Sequence, residues 1–371
     1  MLKAKKMKVM ISGGGTGGHI FPAIAIANAL RERIPESAIR FVGAKGKMEM
    51  EKVPAAGYEI EGLWISGLSR RSIIKNLLFP FKLVSSLWKS YRIIKKFRPD
   101  VVVGVGGFAS GPLLEVACRL GKPTLIQEQN SYAGLTNKLL GKKVDRICVA
   151  FEGMDLFFPK EKLIELGNPV RSTLFENSYS QEEAKRQMGI PAQRKVILAI
   201  GGSLGARTIN QMFRDNTELF RENEEVYFIW QQGKLYADDY GNCKSAKLNN
   251  VRAMTFIDDM AIAYTAADLV VSRAGALTLA ELAALGKPAI LIPSPNVAED
   301  HQTKNAQYLV NRNAALLVKD EDAVEKGIKM AIKTVKDQDV LTRLSLNIHG
   351  LERKNSAGRI ADEIIKLAKT T

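Results

Sequence analysis

Three clusters in the chain combine residue types that could do chemistry. Gly13-Gly-Gly-Thr-Gly-Gly-His19 contains a G-x-G-x-x-G spacing at Gly13, Gly15 and Gly18 and closes with a hydroxyl and an imidazole. Ser272-Arg-Ala-Gly-Ala-Leu-Thr-Leu-Ala-Glu281 reads as strand, loop and helix, with a carboxylate one turn beyond Thr278. Ala298-Glu-Asp-His-Gln302 gathers polar groups ahead of a helix that contains Asn305 and Ala306. The first two pass from a glycine-bearing loop into a helix. The first amides of such a helix lack intrahelical partners and its dipole adds partial positive charge, so an anion or oxyanion is the expected ligand.

Each cluster admits two readings. G-x-G-x-x-G after a strand suggests a dinucleotide, but an NAD site also wants an acid about 20 residues on, at the end of the second strand. That strand ends Phe41-Val-Gly-Ala-Lys45, which counts against NAD, while Lys45 and Lys47 leave a 2′-phosphate, and hence NADP, open. His19 either caps and packs, or serves as a base. The positive helix end disfavours imidazolium, and a neutral imidazole can take a proton from a hydroxyl. Thr278-x-x-Glu281 fits a capping box. Equally, amides near Gly275–Thr278 could hold a diphosphate while Glu281 binds ribose hydroxyls.

The elements that must position these groups are short apolar runs alternating with helical spacing. Lys8–Ser12, Ile39–Gly43, Val101–Val105, Thr124–Gln127 and Arg146–Ala150 read as strands. The pattern then restarts with Lys195–Ile200, which leads into Gly201-Gly-Ser-Leu-Gly-Ala206 much as Lys8–Ser12 leads into the first glycine loop. Val226–Trp230, Val251–Ile257, Asp268–Ser272 and Ala289–Ile292 follow. Strands alternating with helices predict an α/β fold of two doubly wound parallel-sheet domains. The expected division is 1–164 and 165–351, joined near Leu163–Gly167, with a final helix (352–371) packing back on the first domain. Ligands of such sheets gather at the carboxyl ends of the strands.

Composition bounds the partners. The 371 residues, 46% of them hydrophobic, suffice for two cores, and the net charge of +15 favours polyanions, anionic headgroups or phosphorylated substrates. Three scattered cysteines and three histidines argue against a disulfide framework or a metal cluster. The apolar run at the N-terminus is too short for a signal peptide, and no stretch has the length of a spanning helix.

Taken in order, the motifs resemble the MurG family of peptidoglycan N-acetylglucosaminyltransferases. They are Gly13–His19, Gly106-Gly-Phe-Ala-Ser-Gly-Pro112, Gln127-Glu-Gln-Asn130, Gly167-Asn-Pro-Val-Arg171, Gly201-Gly-Ser-Leu-Gly-Ala-Arg207, Phe256-Ile-Asp-Asp-Met260, Arg273-Ala-Gly-Ala-Leu-Thr278 and Asp300-His-Gln302. One departure is Phe108, which stands where some members carry tyrosine. The resemblance implies a GT-B fold, two Rossmann-like domains facing across a cleft. It implies an inverting transfer of N-acetylglucosamine from UDP-GlcNAc to the C4 hydroxyl of undecaprenyl-diphosphate-linked muramoyl-pentapeptide, lipid I to lipid II. No cofactor and no metal held by a D-x-D motif are required.

The resemblance also assigns residues. The first domain takes the acceptor, and the second takes UDP-GlcNAc. Arg171, Ser203, the stretch Ala276, Leu277, Thr278, Leu279, Ala280 and Glu281, and Gln302 hold the donor, with the Ile257 backbone at the uracil. Thr16, Gly17, Gly18 and Asn130 reach the sugar or the acceptor, and the first glycine loop becomes a cradle for the acceptor's diphosphate. His19 is the first candidate base and Glu128 the second. The implied location is peripheral, on the cytoplasmic face of the bacterial plasma membrane, with cell-wall synthesis proteins as further partners. A UDP-GlcNAc 2-epimerase and another lipid-directed GT-B transferase are the enzymatic alternatives, and a membrane-docked sugar-nucleotide sensor the non-catalytic one.

The span from Gly62 to Pro99 contains no acid. Arg70, Arg71 and Lys75 lie among Ile73, Leu77, Leu78, Phe79 and Trp88, a mix suited to anionic membrane lipids. The plainer reading is two amphipathic helices, split at Pro80, packing through Val84, Leu87, Tyr91 and Ile94 with their lysines in water. Nucleic acid is a poor fit, since no RRM, KH or zinc motif accompanies the charge.

Overall fold

The computed structural model describes residues 6–67, 77–175 and 179–369. The chain divides into two compact units, one of Met1–Val170 with Arg353–Thr371 and one of Arg171–Glu352.

The first unit is built on strands β1 (Lys8–Ser12), β2 (Ala38–Ala44), β3 (Glu59–Leu63), β4 (Val101–Gly104), β5 (Thr124–Glu128), β6 (Arg146–Val149) and β7 (Leu163–Glu165). They form one sheet in the order β3-β2-β1-β4-β5-β6-β7, and every pairing is parallel. Both faces are covered, so the central strands are apolar throughout: β4 is Val-Val-Val-Gly and wholly buried. The Gly17–Arg33 helix lies on one face, where Ile20, Ile26 and Leu30 pack with Ile360, Ala361 and Ile364 of the closing helix, Ser356–Lys369. An Arg33–Asp362 ion pair accompanies this packing. Gly167 (φ 84°) permits the close approach of that returning segment, since a Cβ there would lie 2.4 Å from the Cβ of Arg353.

The second unit repeats the plan with β8 (Lys195–Ile200), β9 (Val226–Gln231), β10 (Val251–Met254), β11 (Leu269–Ser272), β12 (Ala289–Leu291) and β13 (Leu316–Leu317). The order is β10-β9-β8-β11-β12-β13, again parallel throughout. Phe213, Phe220, Phe228 and Trp230 form a stacked and edge-on aromatic group in its core.

In each sheet the strand order reverses once, between β1 and β4 and between β8 and β11. At that point the connections leave for opposite faces and open a crevice at the carboxyl ends. Ser12 pairs with Gly104 at one such end, and Ser272 with Ile200 at the other. The glycine-bearing loops of the sequence leave from these positions.

Some expectations differ from the structure. The join expected near Leu163–Gly167 falls on β7, and the contact division comes instead between Val170 and Arg171 and again between Glu352 and Arg353. Residues 255–257, read as part of a strand, lie beyond the end of β10. Strands β3, β7 and β13 were not expected at all.

Candidate functional site

In the first unit, β1 passes through Gly13–Thr16 into the Gly17–Arg33 helix, and Thr16 occupies the N-cap without a side-chain capping bond. Gly15 holds φ 86°, a left-handed value that glycine adopts without cost. The loop after β4 presses on it: a Cβ on Gly107 would lie 2.3 Å from the Gly14 carbonyl oxygen. The Ser110 hydroxyl sits between the two loops, 2.9 Å from the Ser12 carbonyl and 2.8 Å from that of Gly106.

His19 is half-buried in the first turn of the helix. Its Nδ1 lies 3.1 Å from the Gly14 carbonyl oxygen and 3.4 Å from Thr16 Oγ1. A carbonyl can only accept, so this contact is a hydrogen bond when Nδ1 carries the proton, the tautomer that leaves the lone pair of a neutral ring on Nε2.

Sequence reasoning missed Glu49, which is fully buried beside this loop. Its Oε2 accepts from the Gly15 amide and its Oε1 from the Ala44 amide, both at 2.9 Å. An acid does therefore stand by the end of β2. It points into the glycine loop, with both oxygens on backbone amides, and not toward a ribose. The Gly15 amide is also spent, so the expected diphosphate cradle contracts to the helix end at Thr16, Gly17 and Gly18.

Glu128, the second candidate base, ends β5 and is 2% exposed. Its Oε1 accepts from the Asn130 amide and side chain (3.0 and 3.2 Å), and its Oε2 from the Gly134 amide and Asn137 Nδ2 (3.0 and 2.9 Å). Four donors fill the carboxylate, which leaves it organising the 128–137 loop and presenting Asn130. The structure argues against Glu128 as a base.

In the second unit, β11 leads through Arg273–Gly275 into the Ala276–Ala284 helix. Gly275 is the N-cap and no side chain caps this helix, so Thr278 stands at its third position and the capping-box reading fails. Glu281, 6% exposed one turn on, accepts from Arg171 Nε at 2.9 Å and from the Tyr264 hydroxyl at 3.1 Å. Arg171 Nη2 lies 2.8 Å from the same carboxylate. The arginine expected to hold the donor thus pairs with the carboxylate expected to meet the ribose. Tyr264 is buried on the Met260–Ala266 helix, which Asp259 caps by accepting from Ile262 N at 3.0 Å. Burial, first, and then the charge of Glu281 push the Tyr264 hydroxyl well above its ordinary pKa, so it stays protonated as a donor.

The other expected donor residues divide by exposure. Ser203 is exposed in the loop after β8, where Gly202 and Gly205 both have positive φ. Ala276, Leu277, Thr278 and Ala280 are half-buried; Leu279 and Ile257 are buried, so only their backbones could meet a ligand. Gln302 accepts from the Ser294 amide at 2.8 Å. Arg273 fixes the loop beneath, donating to the Ile292 and Pro293 carbonyls and pairing with Asp320. Two buried polar atoms at the strand ends, Ser272 Oγ and Gln232 Nε2, have no hydrogen-bond partner and were not foreseen.

Two Asp-x-Asp triplets occur, at Asp320–Asp322 and Asp337–Asp339. Asp320 takes Arg273 and Thr208, Asp322 pairs with Lys326, and Asp337 caps a helix. Among the described residues, no three His, Cys, Asp or Glu side chains converge as a metal site.

Of the residues expected at a membrane, Arg70, Arg71, Ile73 and Lys75 lie outside the described residues. Leu77, Leu78 and Trp88 are exposed, but Phe79 packs partly buried against the core. Pro80 lies in the first turn of the Phe79–Phe97 helix, and the stretch 68–76, where the preceding helical piece was expected, lies outside the described residues. That helix buries Ser86, Ser90, Ile93 and Ile94 and exposes Phe81, Val84, Trp88 and Tyr91, a second apolar stripe that includes two residues expected inside. Arg92 covers the Trp88 ring at 4.8 Å. Lys82 and Lys89 are not simply in water; they donate to Ser66 Oγ and the Gly62 carbonyl, tying the helix to the end of β3. Among the described residues no helix is long and apolar enough to cross a membrane.

Two family models match the chain: the glycosyltransferase family 28 N-terminal domain over residues 9–149 and the family 28 C-terminal domain over 196–353. A Bacteroides fragilis protein named UDP-N-acetylglucosamine--N-acetylmuramyl-(pentapeptide) pyrophosphoryl-undecaprenol N-acetylglucosamine transferase is 53% identical over 365 residues, 98% of this chain and 96% of its own. A Flavobacterium psychrophilum protein of the same name is 52% identical over 367 residues, 99% of each chain. The crystal structure of Acinetobacter baumannii MurG superposes with a TM-score of 0.77 at 28% identity, covering 97% of this chain and 99% of that one.

Proposed function

The chain belongs to glycosyltransferase family 28, and from that premise we propose that it transfers N-acetylglucosamine from UDP-GlcNAc to the muramoyl C4 hydroxyl of lipid I, yielding lipid II. The observation that carries this reading is identity of about one half running end to end with transferases of that name. The geometry of each unit supplies a matching part of the chemistry.

The acceptor oxygen forms a bond to the anomeric carbon as the bond from that carbon to the UDP oxygen breaks with inversion. The hydroxyl proton goes to Nε2 of His19, and UDP leaves with the electron pair. The tie from Nδ1 to the Gly14 carbonyl supports that role, because it places the ring's lone pair on Nε2. The departing diphosphate is met by the first turn of the Ala276–Ala284 helix, whose dipole and amides supply positive potential without a metal. Ser203 adds a hydroxyl, Glu281 receives the ribose, and Arg171 exchanges the carboxylate for phosphate as the ribose arrives. Thr16, Gly17, Gly18 and Asn130 hold the acceptor.

A lipid-linked acceptor must be met at a membrane surface. The exposed stripe Phe81, Val84 and Trp88, beside Arg92, suits an interfacial contact with anionic lipid, and a peripheral membrane location follows.

The test is UDP release from UDP-GlcNAc with and without a lipid I analogue, in EDTA. Release that requires the analogue is expected, and His19→Ala lowers kcat by about 10²–10⁴, the usual worth of a general base. Epimerisation of the donor alone, with no acceptor-dependent release, refutes the transferase reading.

A further inference from the structure

Glu49 and His19 meet at the two ends of one peptide group. The carboxylate takes the N–H of Gly15 at 2.9 Å, and the imidazole Nδ1 faces the carbonyl of Gly14 at 3.1 Å. Carbonyl and amide belong to the same planar unit, so fixing one fixes the other. We propose that Glu49 is a positioning residue that acts on His19 through the Gly14–Gly15 peptide, fixing its tautomer and stabilising the imidazolium formed when Nε2 takes the acceptor's proton.

Three observations support it. Glu49 is fully buried, so the charge it carries as a carboxylate is little screened by solvent. Its other oxygen is anchored on the Ala44 amide at the end of β2, so the carboxylate cannot follow the loop if the loop shifts. And the fit is tight: a Cβ on Gly14 would lie 2.2 Å from Glu49 Oε1, and one on Gly43 2.5 Å from its Cγ. Accepting from the amide polarises the peptide and enriches its carbonyl oxygen, which faces the imidazole. The arrangement performs the orienting role that a carboxylate plays directly in a hydrolase triad, here with a peptide between.

The inference rests on His19 being the base, and the experiment separates the two. Glu49→Gln retains one acceptor but turns an NH₂ toward a backbone N–H. It is expected to lower kcat about tenfold, the effect of weakening one charge-assisted hydrogen bond. In a His19→Ala background the same change should cost less than about twofold, because its route of action is gone. An equal loss in both backgrounds overturns the proposal. The second measurement uses the unaltered enzyme labelled with ¹⁵N-histidine, which has only three histidines to assign. His19 should show the Nδ1–H tautomer in the wild type and a shifted population in Glu49→Gln. An Nε2–H tautomer in the wild type overturns the proposal even if the variant does not fold. If His19→Ala keeps full turnover, the base assignment fails, while the spectrum still reports on the peptide link.

Discussion

Replacing Tyr264 with phenylalanine removes one buried oxygen and leaves the ring. That oxygen donates to Glu281 Oε2 at 3.1 Å, while Arg171 engages Oε1. The partners differ in kind: Tyr264 is buried in the Met260–Ala266 helix, whereas the Arg171 side chain is 55% exposed and can swing away. The phenol therefore fixes the carboxylate and the arginine is its exchangeable partner, replaced by ribose hydroxyls. Without the phenol, Glu281 turns both oxygens to Arg171, and the ribose must break a stronger pair. A hydrogen bond to a charged group contributes about 1.5–3 kcal/mol, so UDP affinity should fall roughly 10- to 100-fold. The assay is calorimetric titration of wild type and Tyr264→Phe with UDP and with 2′-deoxy-UDP. The wild type should prefer UDP, and the variant should lose most of that preference. A variant that binds UDP more weakly but keeps the full preference would refute the reasoning, because its defect would lie elsewhere than at the ribose.

Two further outcomes are expected. Phe81→Ser with Trp88→Ser should reduce co-sedimentation with anionic phospholipid vesicles about tenfold or more, since two exposed aromatics leave the interface; unchanged sedimentation would remove the stripe from the membrane contact. Lys287 donates to the Thr265 and Ala267 carbonyls, and burial lowers its pKa to about 8, with Asp268 opposing the shift and Lys185 reinforcing it. Because this base has a depressed folded-state pKa, its penalty is full below pH 8 and is relieved as pH rises toward the unfolded value. Urea unfolding should therefore show the wild type gaining on Lys287→Met by about 2 kcal/mol between pH 8 and 9.5. A constant difference between the two proteins would place the proton elsewhere.

How much of the fold was legible follows from where each strand lies. β1, β4, β8 and β11 are covered by helices on both faces and flanked on both sides, so they must be apolar, and the sequence marks them plainly. The strands missed or overextended, β3, β7, β13 and β10, are the four sheet edges. β3 is Glu-Ile-Glu-Gly-Leu, and two of its charges face Arg40 of the neighbouring β2, at 2.6 Å from Glu59 and 3.7 Å from Glu61. β7 and β13 have three and two residues and no fully buried position. An edge strand needs no continuous apolar run, so composition alone does not separate it from a loop.

The candidate site was legible where it is made of backbone and not where it is made of tertiary contacts. Glycine loops announce themselves because only glycine permits their turns and close approaches. Glu49 lies in Lys-Gly-Lys-Met-Glu-Met-Glu-Lys, where it resembles Glu51, an exposed neighbour two positions on. Only the fold turns the first carboxylate inward. That inward turn separates the chemistry of two loops that look alike. In the first unit a buried carboxylate already occupies the Gly15 amide, which leaves only the helix end at Thr16–Gly18 for an anion and favours a proton arriving on the adjacent imidazole. In the second the buried carboxylate is held by Arg171 and Tyr264, away from the first-turn amides of the Ala276–Ala284 helix, which keep their positive potential for a diphosphate. One fold plan thus yields a proton-accepting loop and an anion-accepting loop, and the difference lies in where each unit sets a buried glutamate beside its loop.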